Sequence, residues 1–238
     1  MFDFLLHAVT VTAIYALIAV SLNIQAGYAG LLNLGHIAFV GVGAYAVGIA
    51  HQMHWNPAVG WALGLAVAAI LGFFVSRLGR NLGADYWGIA TLAVAEIVRT
   101  IALNEDWLTG GAQGISGISP MWSSLSSSAS RWSFLATVVV TLLAAATLTS
   151  RLGAGRFGRS LRLMREEPSL ATSMGYDLVG LKSRATVTSA MMAAVAMSAP
   201  AAMAQSQPEG GAPMMVINGH YHERLTVEKV DELLDGLE

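Results

Sequence analysis

Long uncharged apolar runs alternate with short polar connections along most of this chain, and the runs have bilayer length. Phe4 to Leu22 (FLLHAVTVTAIYALIAVSL) is 19 residues without Asp, Glu, Lys or Arg. As a helix rising 1.5 Å per residue it would cover roughly 28 Å of a hydrocarbon core about 30 Å thick. No basic stretch precedes it and Asp3 does, so it reads as a retained first span rather than a secretory signal, with His7 an interfacial residue. Pro57 to Ser76 is another span, with Pro57 suited to a first helical turn. Tyr86 to Asn104 follows, opened by Tyr86 and Trp87 as an interfacial aromatic pair. Phe134 to Ser150, at 17 residues, is near the lower limit for crossing. The pattern predicts an all-α integral membrane protein with five to six transmembrane helices.

Two of the runs carry polar groups that need an explanation. Asn23 to Ala50 is punctuated by Gly27, Gly30, Gly35, Gly41, Gly43 and Gly48. It reads either as a tightly packed helix or as a broken segment whose unwound backbone lines a cavity. Asn33 and His36 at i,i+3 would share a face turned to protein or to a pathway. Glu96 and Arg99 are costly inside a span, so they are expected to pair at i,i+3 and face protein. They serve either helix packing or a polar pathway through the membrane. The connection from Glu105 to Ser133 is rich in Gly and Ser, with Trp107, Trp122 and Trp132 at interface positions, and offers a surface to an outside partner.

Composition sharpens this. Hydrophobic residues make up 55% and charged ones only 12%, with a mean hydropathy of +0.57; soluble domains carry about 25% charged residues. The chain has no Cys, which excludes disulfides and thiolate-held zinc or iron–sulfur clusters of its own. No phosphate-binding Gly-rich loop ending in Lys-Ser or Lys-Thr occurs. Nor is there a catalytic constellation: the serines from Ser123 to Ser130 lack a His and an acid near them. No enzyme, metal, cofactor or nucleic-acid partner is expected, and the substrate-independent partner is membrane lipid.

The charges are segregated. Arg151 to Arg184 holds seven basic residues (Arg151, Arg156, Arg159, Arg162, Arg165, Lys182, Arg184) against Glu166, Glu167 and Asp177. If this connection is cytoplasmic, alternation also puts Arg77 and Arg80 inside, and leaves Arg131 outside. That satisfies the positive-inside rule and places the N-terminus outside.

Three stretches, in order, carry a family resemblance: SLNIQAGYAGLLNLGHIAFVGVGAY, YWGIATLAVAEIVRTIALNEDWLTGGAQGI and GRFGRSLRLMREEPSLATSMGYDLVGLK. The chain resembles the membrane permeases of branched-chain amino acid ABC importers over about its first 185 residues. The third stretch looks like the family's cytoplasmic coupling loop at Arg165, Glu166, Glu167, Ala171, Met174, Gly175 and Lys182. The resemblance implies a multi-pass protein of the bacterial inner membrane that moves branched-chain or related hydrophobic amino acids. It also implies three protein partners: an ATP-binding cassette subunit that binds the ATP, a second permease subunit and a periplasmic amino-acid-binding protein. A short helix from Arg159 to Met174 would dock the motor, with Gly175 as its C-cap. Pro168 should kink that helix or start a second one. The plainer reading of the loop is a solvated basic connection that only sets orientation.

These readings divide the chain into a partial permease domain at 1–184, with coupling loop 151–184, a segment at 185–204 and a soluble tail at 205–238. The segment Ala185 to Ala204 reads as a sixth span or as a signal-like run ending in Ala-Met-Ala. In the tail, Thr226 would cap a helix from Val227, giving a short α/β-like unit. APMMVINGHYHERLTVEKVDELLDGL is similar to the C-terminal end of the thioredoxin-like [2Fe-2S] subunit of NADH–quinone oxidoreductase, without that family's cysteines. His220, His222 and Glu223 make an incomplete metal set. Two further functional readings therefore stand beside the permease: a truncated or fused membrane protein without transport activity, and a component associated with a redox complex.

Overall fold

A computed structural model describes residues 2–80, 82–111, 114–115, 127–201, 215–217 and 220–222. Among them the regular secondary structure is helical, apart from two three-residue strands. The helices are α1 (Phe2–Asn23), α2 (Ile37–Gln52), α3 (Pro57–Leu78), α4 (Ala84–Asn104), α5 (Asp106–Thr109), α6 (Ser127–Ala154), α7 (Arg156–Glu166), α8 (Pro168–Ser173) and α9 (Leu178–Ala201). Strands β1 (Met215–Ile217) and β2 (His220–His222) pair antiparallel. The predicted tail helix from Val227 lies outside the described residues, as do Trp122 and residues 123–126 of the Ser-rich stretch.

Among the described residues, four helices are long and apolar enough to cross a membrane: Phe4–Tyr28, Ala58–Leu78, Tyr86–Asn104 and Arg131–Ala154. These correspond to four of the runs read from the sequence: Tyr86–Asn104 has the bounds read for it, and the other three extend further at one end or both. Pro57 occupies the first turn of α3 as expected, and Asn56 caps it by accepting from the Ala58 N–H at 2.9 Å.

Small residues decide how the helices meet. The segment expected to be either a span or signal-like is the most enclosed helix, α9, wedged between α2 and α3 and touching α1. Ala185, Ala190, Ala193, Ala194 and Ala196 of α9 are all buried. At Gly43 of α2 an added Cβ would overlap the Ala194 backbone. At Gly72 of α3 it would lie 3.0 Å from the Ala190 Cβ. Such close approach is how helices gain attraction in lipid, where tails compete for apolar contact.

One aromatic departs from expectation. Tyr86 is exposed, but Trp87 is only 1% exposed and packs in the core rather than at an interface. Gly79, in the turn after α3, leaves the space its ring fills. The aromatic pair therefore splits: one ring faces outward and the other pins α4 to the end of α3.

Candidate functional site: the basic-end elbow and the broken helix

The run from Asn23 to Ala50 is broken. After α1 the backbone widens into a π-helical turn, Ile24–Tyr28, then leaves helical geometry until α2 starts at Ile37. Wide turns of this kind often mark functional sites. Gly30, at φ +68, lets the chain reverse there. The glycines that left both readings open thus serve both: Gly30 sits in the break and Gly43 in the packed helix beyond it.

Asn33 and His36 lie in this break, not on a continuous helix face. Both are buried and each is held by a residue from α1 or its π-helical extension. The Ser21 hydroxyl and His36 Nε2 are 2.8 Å apart. Asn33 Nδ2 donates to Gln25 Oε1 at 3.1 Å, and Asn33 Oδ1 accepts from the Gly35 N–H at 2.9 Å. From α4, Thr91 accepts the Leu34 N–H at 3.2 Å. From α9, Ser189 donates to the Ser21 carbonyl at 2.7 Å. Ser21, Gln25, Thr91 and Ser189 were not singled out from the sequence. Their signal was available for one pair only, since Ser21 and Gln25 fall at i,i+4 at the end of a charge-free span.

Glu96 and Arg99 pair as their spacing predicts, with Arg99 donating to both carboxylate oxygens at 2.6 and 2.9 Å. The expectation that they face protein within this chain is not met. Their side chains are 58% and 62% exposed, on a helix that touches its neighbours sparsely.

The basic connections gather at one end. Ser76 donates to Ser183 at 2.9 Å, and Lys182 Nζ lies 3.5 Å from the Leu82 carbonyl, joining the turn after α3 to the start of α9. Lys182 precedes the apolar part of α9, and its partial burial lowers its pKa from the ordinary lysine value.

At that end α7 and α8 form an elbow. Phe157, Leu161 and Met164 recur at i, i+4 and i+7 and turn α7's apolar face to the core, with Ile24, Ala29 and Leu31 of the π-helical turn and the break. Its arginines cap backbone carbonyls: Arg159 donates to Ala154 at 2.8 Å, and Arg162 to Gly153 at 2.7 Å, lying over the Tyr28 ring. Arg165 donates to the Gly27 carbonyl. Pro168 starts a second short helix, so the single helix from Arg159 to Met174 is two. Gly175 follows α8 at φ +83, in the position expected of a helix terminator.

The elbow's tip is exposed at Glu166, Glu167, Leu170, Met174, Gly175 and Tyr176. Ala171 is the exception at 0% exposure: it packs inward and supports the tip from beneath. Of the residues expected to meet a motor subunit, Glu166, Glu167, Met174 and Gly175 are free to do so. Arg165 and Lys182 are engaged within the chain, and Ala171 is covered.

Apolar spans packed through small residues, a broken helix closed by buried polar pairs and a polar elbow at the basic end define a multi-pass membrane protein. The family model described as the permease component of branched-chain amino acid transport systems matches residues 4–218, and the chain belongs to that family. The matched range runs past Lys182, where the resemblance read from the residues stops. The chain is 38% identical over 115 residues to the high-affinity branched-chain amino acid transport system permease protein LivM of Escherichia coli, covering 46% of this chain and 26% of that protein. The LivM of Salmonella typhimurium matches at the same identity and coverage. A probable LivM of Methanocaldococcus jannaschii is 29% identical over 217 residues, covering 77% of this chain and 63% of that protein. The chain thus spans about a quarter of the two bacterial relatives and under two thirds of the archaeal one. No solved structure matches.

Proposed function

We propose that this chain is a membrane-spanning subunit of an ATP-driven importer for branched-chain or related hydrophobic amino acids. In this reading it sits in a bacterial inner membrane, N-terminus outside, and couples ATP hydrolysis in a partner subunit to substrate passage. The observation that carries it is the elbow of α7 and α8. In a permease-family chain, the arginine-rich end presents a small knob whose tip combines Glu166 and Glu167 with exposed Leu170, Met174 and Tyr176. Apolar side chains on an aqueous protrusion suit a protein-binding surface, and a cleft on an ATP-binding subunit is the occupant the family supplies.

Asn33 and His36 act in this reading as closures of the break rather than as ligands for a substrate, since each is buried and paired. The exposed Glu96–Arg99 pair, on a helix of spanning length, supports a second permease subunit that covers this face of α4. A periplasmic amino-acid-binding protein would meet the opposite end, around α5.

The test is co-purification of the detergent-solubilised chain with ATP-binding subunits of this importer class. Wild type should retain the motor and alter its ATPase rate. Leu170→Asp/Met174→Asp and Gly175→Arg should insert normally and lose both effects. Equal retention and stimulation by all forms would remove the elbow from the role assigned to it.

A further inference from the structure

We infer that Arg165 is an internal strut, tying the elbow to the π-helical turn that opens the broken segment. Its geometry stands alone; its consequence for transport rests on the coupling reading above. A helix end leaves its last carbonyls without i+4 donors, and here the Leu31 N–H turns back to the Gln25 carbonyl at 2.9 Å. Arg165 supplies a donor to the Gly27 carbonyl from a helix 138 residues away in sequence. Its aliphatic stem runs against Gly30, where an added Cβ would lie 2.6 Å from Arg165 Cγ and 3.2 Å from Cδ. Glycine is therefore needed at position 30 twice over, for its positive φ and for the passage of this side chain.

The strut has support on both sides. On the elbow side, Leu161 and Met164 share one core with Ile24, Ala29 and Leu31, so α7 cannot slide without disturbing the turn. On the far side, Gln25 in the same turn holds Asn33, while Ser21 one turn earlier holds His36. A pull on α7 is thus delivered to the Gly27 carbonyl and, through Gln25, to the buried polar closure of the break. Arg165 is a positioning residue: it moves other groups and touches no substrate.

Hydrogen–deuterium exchange of the full chain in lipid nanodiscs tests this without a partner. Arg165→Gln and Gly30→Ala are compared with wild type, Arg165→Lys serves as the conservative variant, and Arg151→Gln is the exposed control. Removing a bond from a charged donor should speed exchange at the Ala29 and Leu31 amides by about tenfold or more. Arg165→Lys should fall between, and Arg151→Gln should match wild type. Unchanged protection in Arg165→Gln would overturn the strut.

Reconstitution with an ATP-binding subunit supplies the second readout. Arg165→Gln should still retain the subunit while losing substrate uptake per ATP hydrolysed. Loss of retention with unchanged exchange would make Arg165 a docking residue and overturn the inference. If no form of the chain retains the subunit, the coupling reading fails, and the exchange result still decides the strut.

Discussion

The Ser21 hydroxyl and His36 Nε2 are 2.8 Å apart, and the Ser21 carbonyl also accepts from Ser189. One small residue therefore joins α1, the break and α9. Polar bonds between membrane helices are worth less than their setting suggests, averaging about 0.6 and reaching about 1.7 kcal/mol in double-mutant cycles. A cycle of Ser21→Ala with His36→Phe should give a coupling energy in that range, measured by reversible unfolding in mixed micelles. A coupling near zero would mean that the pair is adjacent without being bonded.

Gly43 and Gly41 lie on the same helix, and one substitution should have opposite consequences at the two. A Cβ at Gly43 meets the Ala194 backbone, whereas nothing lies within 4 Å of one at Gly41. Gly43→Ala should destabilise by about 1–3 kcal/mol, because the obstacle is backbone and cannot rotate away. Gly41→Ala should be neutral or stabilising by up to about 1 kcal/mol from helix propensity. Thermal aggregation midpoints of the two variants in one detergent would show the split; equal shifts would contradict the α2–α9 contact.

These two glycines also show what the sequence can and cannot tell. The spans were legible because hydrocarbon penalises charge, and charge-free windows of bilayer length are rare by chance. Pro168 was legible because its ring blocks an uninterrupted helix. Which face of each helix turns inward was not, since it depends on partners distant in sequence. Trp87 reads as interfacial until Gly79 is seen to make room for it. Glu96 and Arg99 advertise their pairing through spacing, but not their exposure. The Ala/Met-rich run of α9 has no charged face to orient it, and Thr186 and Ser189, the hydroxyl pair on one side, turn inward. The residues expected to couple divide for the same reason: Arg165 and Ala171 match the family pattern, yet the fold engages both internally.

The Glu96–Arg99 pair separates a charge effect from a packing effect. Removing one partner strands a charge at mid-span, whereas removing both leaves an apolar surface that lipid accepts. Glu96→Gln should therefore lower the yield of inserted chain more than Glu96→Leu/Arg99→Leu does, measured by membrane fractionation after matched expression. If the double variant inserts well but fails to retain a second permease subunit, the pair belongs to a subunit interface. If the single and double variants insert alike, the charges are not held in the bilayer.

Leu170 and Ala171 are neighbours in α8 with opposite environments, which separates docking from folding at the elbow. Leu170 is 49% exposed and Ala171 is fully covered between the elbow and the bundle. Ala171→Leu forces three extra carbons into filled space and should cost about 1–3 kcal/mol of stability. It should reduce motor binding only as far as it unfolds α8. Leu170→Asp removes an apolar contact from a solvent-facing surface, so stability should change by less than about 0.5 kcal/mol while motor binding falls. Plotting co-purified ATP-binding subunit against melting temperature should therefore put Leu170→Asp far below the trend that Ala171→Leu follows. Both variants falling on one line would mean that the knob is a structural prop, and that the motor grips this end of the protein elsewhere.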